Sequence, residues 1–331
     1  VTRASGVGSH PGEDQRAYDD AVEVVLADLP DPAGLTYVPE VPGRGAPAGM
    51  VGRTLALLDG LGVDLQPAGW RVTDAPGIDH RRAVSLLGQD LDTVEERLQG
   101  FTGVLKLQVT GPWTLAATVE RPRGDRVLAD HGLRRELAQS LAAGLDDHLA
   151  ATQRRVPGAT LLLQVDEPAL PAVLAGQVPT ASGFHRHRTV DAPAAAPLLD
   201  DVLGAAHDAG LETLVHCCAD DVPFDLLGRV GDGRVGLSVD LDRLDAAAYD
   251  EVAAALEADR WTFLGAVPST RPETEPTVGD VVRRVERLLD MLGLEPTDRL
   301  VLTPACGLAG ADPRWARTAL RLCAEAARQL S

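Results

Sequence analysis

Leu214-Val215-His216-Cys217-Cys218 places an imidazole and two thiols on three successive residues. Side chains alternate faces along an extended strand, so His216 and Cys218 share one side and Cys217 takes the other. Imidazole and thiolate are both good zinc donors. A further thiol, Cys306, sits in Thr303-Pro304-Ala305-Cys306-Gly307-Leu308, where Gly307 permits an unusual backbone turn. His216, Cys218 and Cys306 together make a candidate zinc centre. Asp240, ending Leu237-Ser238-Val239-Asp240, offers an oxygen ligand, with Asp242 as its competitor on the same face. Cys323 falls in a helical run of Leu and Ala and reads as core. His185 and His187 have metal-like spacing, but the flanking Arg186 and Arg188 would repel a cation, so they read as a solvated loop.

Carboxylates form the second constellation. In Gln164-Val165-Asp166-Glu167-Pro168 two adjacent acids end an apolar run, and on a strand they point apart. The one facing an open mouth can bind an ammonium group or act as a general base; the alternative is a pair favoured by a helix N-terminus. Gly6-Val7-Gly8-Ser9 can present backbone N–H groups to a substrate carboxylate, or can simply turn. Glu40 and Gly111-Pro112 are weaker signals of the same kind.

These residues need elements to hold them. Short apolar runs near 3–9, 35–41, 104–110, 161–165, 213–216, 235–239, 262–267 and 300–303 read as strands, and the stretches between them carry helical periodicity. Eight strands alternating with helices imply parallel pairing, and eight closes a barrel. The expected fold is therefore α/β, a (β/α)8 TIM barrel, with residues 1–331 as a single catalytic domain. A hairpin excursion is expected near 63–78, and a polar loop over 176–193. The candidate residues fall at C-terminal strand ends, where barrel active sites are built.

Composition narrows the function classes. The net charge of −18 disfavours nucleic acid and anionic membranes as partners. No apolar run approaches the roughly 18 residues of a membrane helix, and no signal core follows the first residues. A soluble, cytoplasmic protein with reduced thiols is expected, since four cysteines in 331 residues make no disulfide framework.

Taken together, the residues resemble the catalytic barrel of the cobalamin-independent methionine synthase family, in its short single-barrel form. The resemblance runs from Gly6-Val7-Gly8-Ser9-His10-Pro11 to Cys306-Gly307-Leu308, and its most specific pieces are Gln164-Val165-Asp166-Glu167-Pro168-Ala169-Leu170, the His-x-Cys at His216 and Cys218, and Cys306-Gly307-Leu308. It implies zinc (Zn2+) held by His216, Cys218, Asp240 and Cys306, where the family acid corresponding to Asp240 is a Glu. It further implies that Ser9, Glu40 and Asp166 hold the amino and carboxylate groups of homocysteine, whose thiol accepts a methyl group to form methionine. The donor would be methyltetrahydrofolate or a methyl-corrinoid protein. Two departures bear on that donor. Thr118 stands near the position of the family's folate-stacking tryptophan, and Gly265-Ala266-Val267-Pro268-Ser269-Thr270 lacks the family's proton-donating His. Another thiol acceptor, as in coenzyme M methyltransferases, and a non-enzymatic zinc-binding barrel are the alternatives.

Overall fold

In the computed structural model, which describes residues 1–330, the apolar runs form ten strands. They are β1 (Arg3–Ala4), β2 (Thr36–Tyr37), β3 (Gly62–Gln66), β4 (Gly69–Thr73), β5 (Gly103–Thr110), β6 (Ala159–Asp166), β7 (Glu212–Cys217), β8 (Gly236–Asp240), β9 (Thr262–Val267) and β10 (Leu300–Pro304). Eight of them make one sheet in the order β1-β10-β9-β8-β7-β6-β5-β2, with every neighbouring pair parallel. The two ends of that order meet. Parallel bridges Ala4–Gly34 and Ser9–Glu40 close the seam, and the Leu35 N–H donates to the Ala4 carbonyl at 2.8 Å. The chain is a (β/α)8 barrel.

Eleven α-helices among the described residues accompany the strands: α1 (Gln15–Asp28), α2 (Met50–Leu55), α3 (Ile78–Arg97), α4 (Pro112–Thr118), α5 (His131–Arg155), α6 (Leu170–Leu174), α7 (Ala192–Asp208), α8 (Phe224–Leu227), α9 (Ala246–Glu257), α10 (Val278–Leu292) and α11 (Pro313–Gln329). Local sequence explains their limits. The N-cap Thr277 and Asp280 form a capping box at the start of α10, and Gly293, left-handed at φ 67°, ends it. Strands β3 and β4 pair antiparallel as a hairpin, tied to the barrel where the Val72 N–H donates to the Glu120 carbonyl at 2.8 Å.

The first two strands are shorter than their apolar runs. A Cβ on Gly6 would come within 2.3 Å of the Tyr37 hydroxyl, so the backbone there passes directly over a ring, and Pro39 lacks the N–H a ladder needs. Pairing resumes only at Ser9–Glu40.

Strand alternation divides the core. Leu105, Leu107, Leu161, Leu163, Val215 and Leu237 face outward and pack under the helices. Leu35, Val104, Leu162, Leu214, Phe263 and Val301 face inward and fill the barrel floor. Above that floor the inward positions turn polar, and Lys106, Gln164, Asp166, His216 and Ser238 are all buried. An interior that changes from apolar to polar along its axis has to satisfy each polar group, and that requirement organises the site. Among the described residues no helix is long and apolar enough to cross a membrane.

Candidate functional site

Parallel register sets Asp166, His216 and Ser238 side by side across β6, β7 and β8. His216 lies near the end of β7, Cys218 just beyond it, and Cys306 two residues past β10. Ligand atoms of His216, Cys218 and Cys306 all fall within 4.8 Å of one another. The two sulfurs are 2.8 Å apart. Thiols this close share their protons unequally. The hydrogen bond from Cys218 holds the Cys306 thiol down at about 4, while the same bond and burial drive Cys218 up.

The histidine is set for a metal. His216 Nδ1 is 2.9 Å from the Ser238 hydroxyl, and its buried Nε2 has no hydrogen-bond partner. With Nδ1–H donating to Ser238, Nε2 keeps its lone pair, which is the tautomer of a ligating imidazole. A buried unpaired nitrogen is costly unless something occupies its lone pair. One imidazole nitrogen and two sulfurs match the donor preference of zinc, so these residues fit that ion.

Asp240 lies apart from this group. Its Oδ1 accepts from the Asp242 N–H at 3.0 Å and its Oδ2 from Arg243 Nε at 3.2 Å, capping a short 3-10 turn. Asp242 is turned to Arg284. Cys217 is buried on the outer face of β7, where burial pushes its thiol up to about 12. Cys323 is buried in α11. His185 is exposed, and His187 sits 3.2 Å from Asp125 in the loop before α7.

A cavity of about 390 Å³ opens over the three ligands and is also lined by Ser9, Glu40 and Asp166. Asp166 accepts from Gln164 Nε2 at 2.7 Å, and burial raises its carboxyl. Glu167 points the other way. It accepts from the Trp113 and Thr114 N–H groups at 2.9 and 2.8 Å and from the Thr114 hydroxyl at 2.7 Å, holding the start of α4. Burial pushes the Glu40 carboxyl up to about 7, although Arg53 is 3.6 Å away. Arg53 also pairs with Asp90, which accepts a bidentate pair of bonds from Arg44 at 2.7 Å each. Ser9 joins the two ends of the barrel wall. Its carbonyl accepts from the Leu308 N–H at 2.8 Å and its hydroxyl oxygen from the Ala309 N–H at 3.3 Å, so the hydroxyl proton is left to donate.

Sequence reading missed three supports. Lys106, fully buried, donates to the Val7 carbonyl and to Gln164 Oε1, each at 2.8 Å, and burial pulls its ammonium down to about 7. Arg53 stands under Glu40, and Ser238 orients His216. Lys106 had a signal, because it is the one charged residue in β5. Arg53 lies in a six-residue helix and gives no pattern to read.

Two comparisons bear on this arrangement. The profile of a protein family described as "Cobalamin-independent synthase, Catalytic domain" matches residues 95–329, a stretch that holds Asp166, His216, Cys218, Asp240 and Cys306 but not Ser9 or Glu40. The fold resembles that of a B12-independent methionine synthase from Shewanella sp. W3-18-1 solved in complex with selenomethionine. That likeness has a TM-score of 0.64 at 13% identity and covers 100% of this chain and 98% of the other. No curated protein matches the chain by sequence.

Proposed function

We propose that this chain, which belongs to the cobalamin-independent synthase catalytic-domain family, transfers a methyl group to the sulfur of homocysteine to give methionine. The observation that carries the reading is one cavity lined both by His216, Cys218 and Cys306 and by Ser9, Glu40 and Asp166. A molecule bearing a thiol at one end and an amino acid at the other needs both halves of that lining.

His216, Cys218 and Cys306 would hold zinc, with Asp240 as the oxygen ligand. Asp240 is preferred over Asp242 because its side chain is 14% exposed against 70%, and because Asp242 is paired across to α10. Bound zinc keeps a coordinating thiol deprotonated at neutral pH, where a free one is mostly protonated. Glu40 and Asp166 supply negative charge for the substrate ammonium. Ser9 donates its hydroxyl to the substrate carboxylate. Gln164, fixed by Lys106, keeps the Asp166 carboxylate turned into the cavity. The sulfur lone pair then forms a bond to the methyl carbon as the carbon–donor bond breaks, and orientation supplies much of the rate. Three ligating side chains lie within reach and Asp240 is also engaged by Arg243, so Asp240 would be the ligand that a substrate thiol displaces, which favours a catalytic centre over a closed structural one.

The test is methionine formation by zinc-loaded protein, followed by mass spectrometry with a labelled methyl donor. Loss of turnover in Cys306→Ser and in Asp166→Asn is expected. Homocysteine that fails to bind zinc-loaded protein would leave a non-enzymatic zinc barrel. Faster turnover of 2-mercaptoethanesulfonate than of homocysteine would move the reading to another thiol.

A further inference from the structure

A second pocket, of about 530 Å³, flanks the mouth of the barrel and shares no lining residue with the first. Its walls include Trp113, His131, Arg134, Arg186, Arg188 and Asp191. Three guanidinium groups thus face one carboxylate, in a chain whose net charge is −18. The other nearby acids are committed elsewhere. Asp130 accepts from the Gly132 and Leu133 N–H groups as the N-cap of α5, and Asp125 is held by His187 and the Ala181 N–H.

Two helices begin at this pocket. His131 and Arg134 belong to the first turn of the 25-residue α5, and Asp191 and Ala194 to the start of the 17-residue α7. Each adds the positive end of its dipole.

Arg134 is the independent observation. It is only 6% exposed, yet no carboxylate among the described residues forms an ion pair with it. Its side chain bonds to His131 Nδ1 and lies 5.4 Å from the Trp113 ring centre, which leaves further N–H donors open toward the pocket. Burial pulls its guanidinium down from the ordinary value. The charge of Asp130 offsets only part of that cost from beyond ion-pair distance, and a bound anion supplies the close partner that is missing. Arg186 and Arg188 are exposed on the opposing loop. Arg186 reaches only the Gln177 carbonyl, and Arg188 makes no hydrogen bond or ion pair among the described residues.

We propose that this pocket binds a small, multiply charged oxyanion, a phosphate group or a polycarboxylate, between Arg134, Arg186 and Arg188. Guanidinium forks recognise both, and a pocket of this volume admits a group larger than a bare ion. The site is independent of the metal centre.

Titration calorimetry at constant ionic strength tests it, with inorganic phosphate, pyrophosphate and tricarballylate as probes and chloride as the control. Saturable binding of one phosphate probe or of the tricarboxylate is expected, and the tighter arm identifies the chemical class. Affinity should fall at least tenfold in Arg186→Ala/Arg188→Ala, whose exposed side chains are removed without disturbing the core, and again in Arg134→Gln. Cys218→Ser should bind as the parent does. Three outcomes would overturn the proposal: no saturable binding of any probe, equal binding by the double variant, or loss of binding in Cys218→Ser, which would assign the anion to the metal centre.

Discussion

Gly307 lies so near Ser9 that a Cβ added to it would stand 2.1 Å from the Ser9 hydroxyl oxygen. The turn after Cys306 and the segment that follows β1 are therefore one packed unit, tied again by the Leu308 N–H on the Ser9 carbonyl. Gly307→Ala must displace Ser9, because overpacking at a fixed contact is relieved only by movement. The KM for homocysteine should rise about tenfold, equivalent to ~1.4 kcal/mol of binding, with a smaller change in kcat. Steady-state kinetics check this, and an unchanged KM would remove Ser9 from substrate binding.

The metal centre makes a sharper distinction among the cysteines. Protein purified without chelators should carry about one zinc per chain, as a mononuclear site requires. Cys218→Ser and Cys306→Ser should lose it. Cys217→Ser and Cys323→Ser should keep it, because both thiols are buried away from the ligand group. Elemental analysis of the four variants decides the matter, and equal loss from Cys217→Ser would contradict the ligand assignment.

Ser238 offers a subtler test. It holds His216 Nδ1 and so leaves Nε2 for the metal. Ser238→Ala frees the ring to rotate and change tautomer, and partners of ligating histidines typically contribute about 10- to 100-fold in metal affinity. Competition with a chromogenic chelator should show zinc affinity reduced by that order while the stoichiometry stays the same. Undiminished affinity would mean that packing alone fixes the ring.

Legibility in the sequence followed the range of each interaction. The eight strands could be read because each is a short apolar run between turn residues, and His216 and Cys218 because they stand two residues apart at the end of one strand. The shortness of β1 and β2 could not be read, since it depends on Tyr37 lying under Gly6 from a different strand. The Glu40–Arg53–Asp90–Arg44 chain was equally hidden, because its members come from four segments with no shared period. Asp240 shows the opposite difficulty. Its place at a strand end reads as a ligand position, yet the same place makes it the cap of the turn that follows.

Glu40 gives a pH dependence with a definite sign. Burial raises its carboxyl to about 7, so it is neutral below that pH and charged above it. Only the charged form attracts the homocysteine ammonium. The value of kcat/KM should therefore fall as pH drops through about 7, approaching tenfold per unit. Glu40→Gln should abolish that limb and lower kcat/KM at pH 8 by about tenfold or more, the weight of a hydrogen bond to a charged group. A pH–rate profile of both proteins checks it, and an identical acid limb in the variant would assign the titration to another group.

The methyl donor is where this chain departs most from its family's pattern. A pterin is flat and aromatic, and stacking on an indole contributes on the order of 1 kcal/mol beyond burial. Thr118, near the family's stacking position, is exposed at the end of α4 and bonds back to the Thr114 carbonyl at 2.7 Å. Neither neighbouring tryptophan is free to replace the indole. Trp113 is buried with Nε1 on the Ala195 carbonyl at 3.0 Å and Arg134 over its ring, and Trp70 is buried in the hairpin. The segment after β9 also lacks the His that would protonate a folate leaving nitrogen. A corrinoid leaving group needs no such proton. Zinc-loaded protein should therefore turn over methylcobalamin or a methyl-corrinoid protein with homocysteine faster than methyltetrahydrofolate. Paired methionine-formation assays with each donor measure the ratio. Folate-dependent turnover equal to the corrinoid rate, and retained in Trp113→Ala and Trp70→Ala, would show that pterin binding here needs no indole.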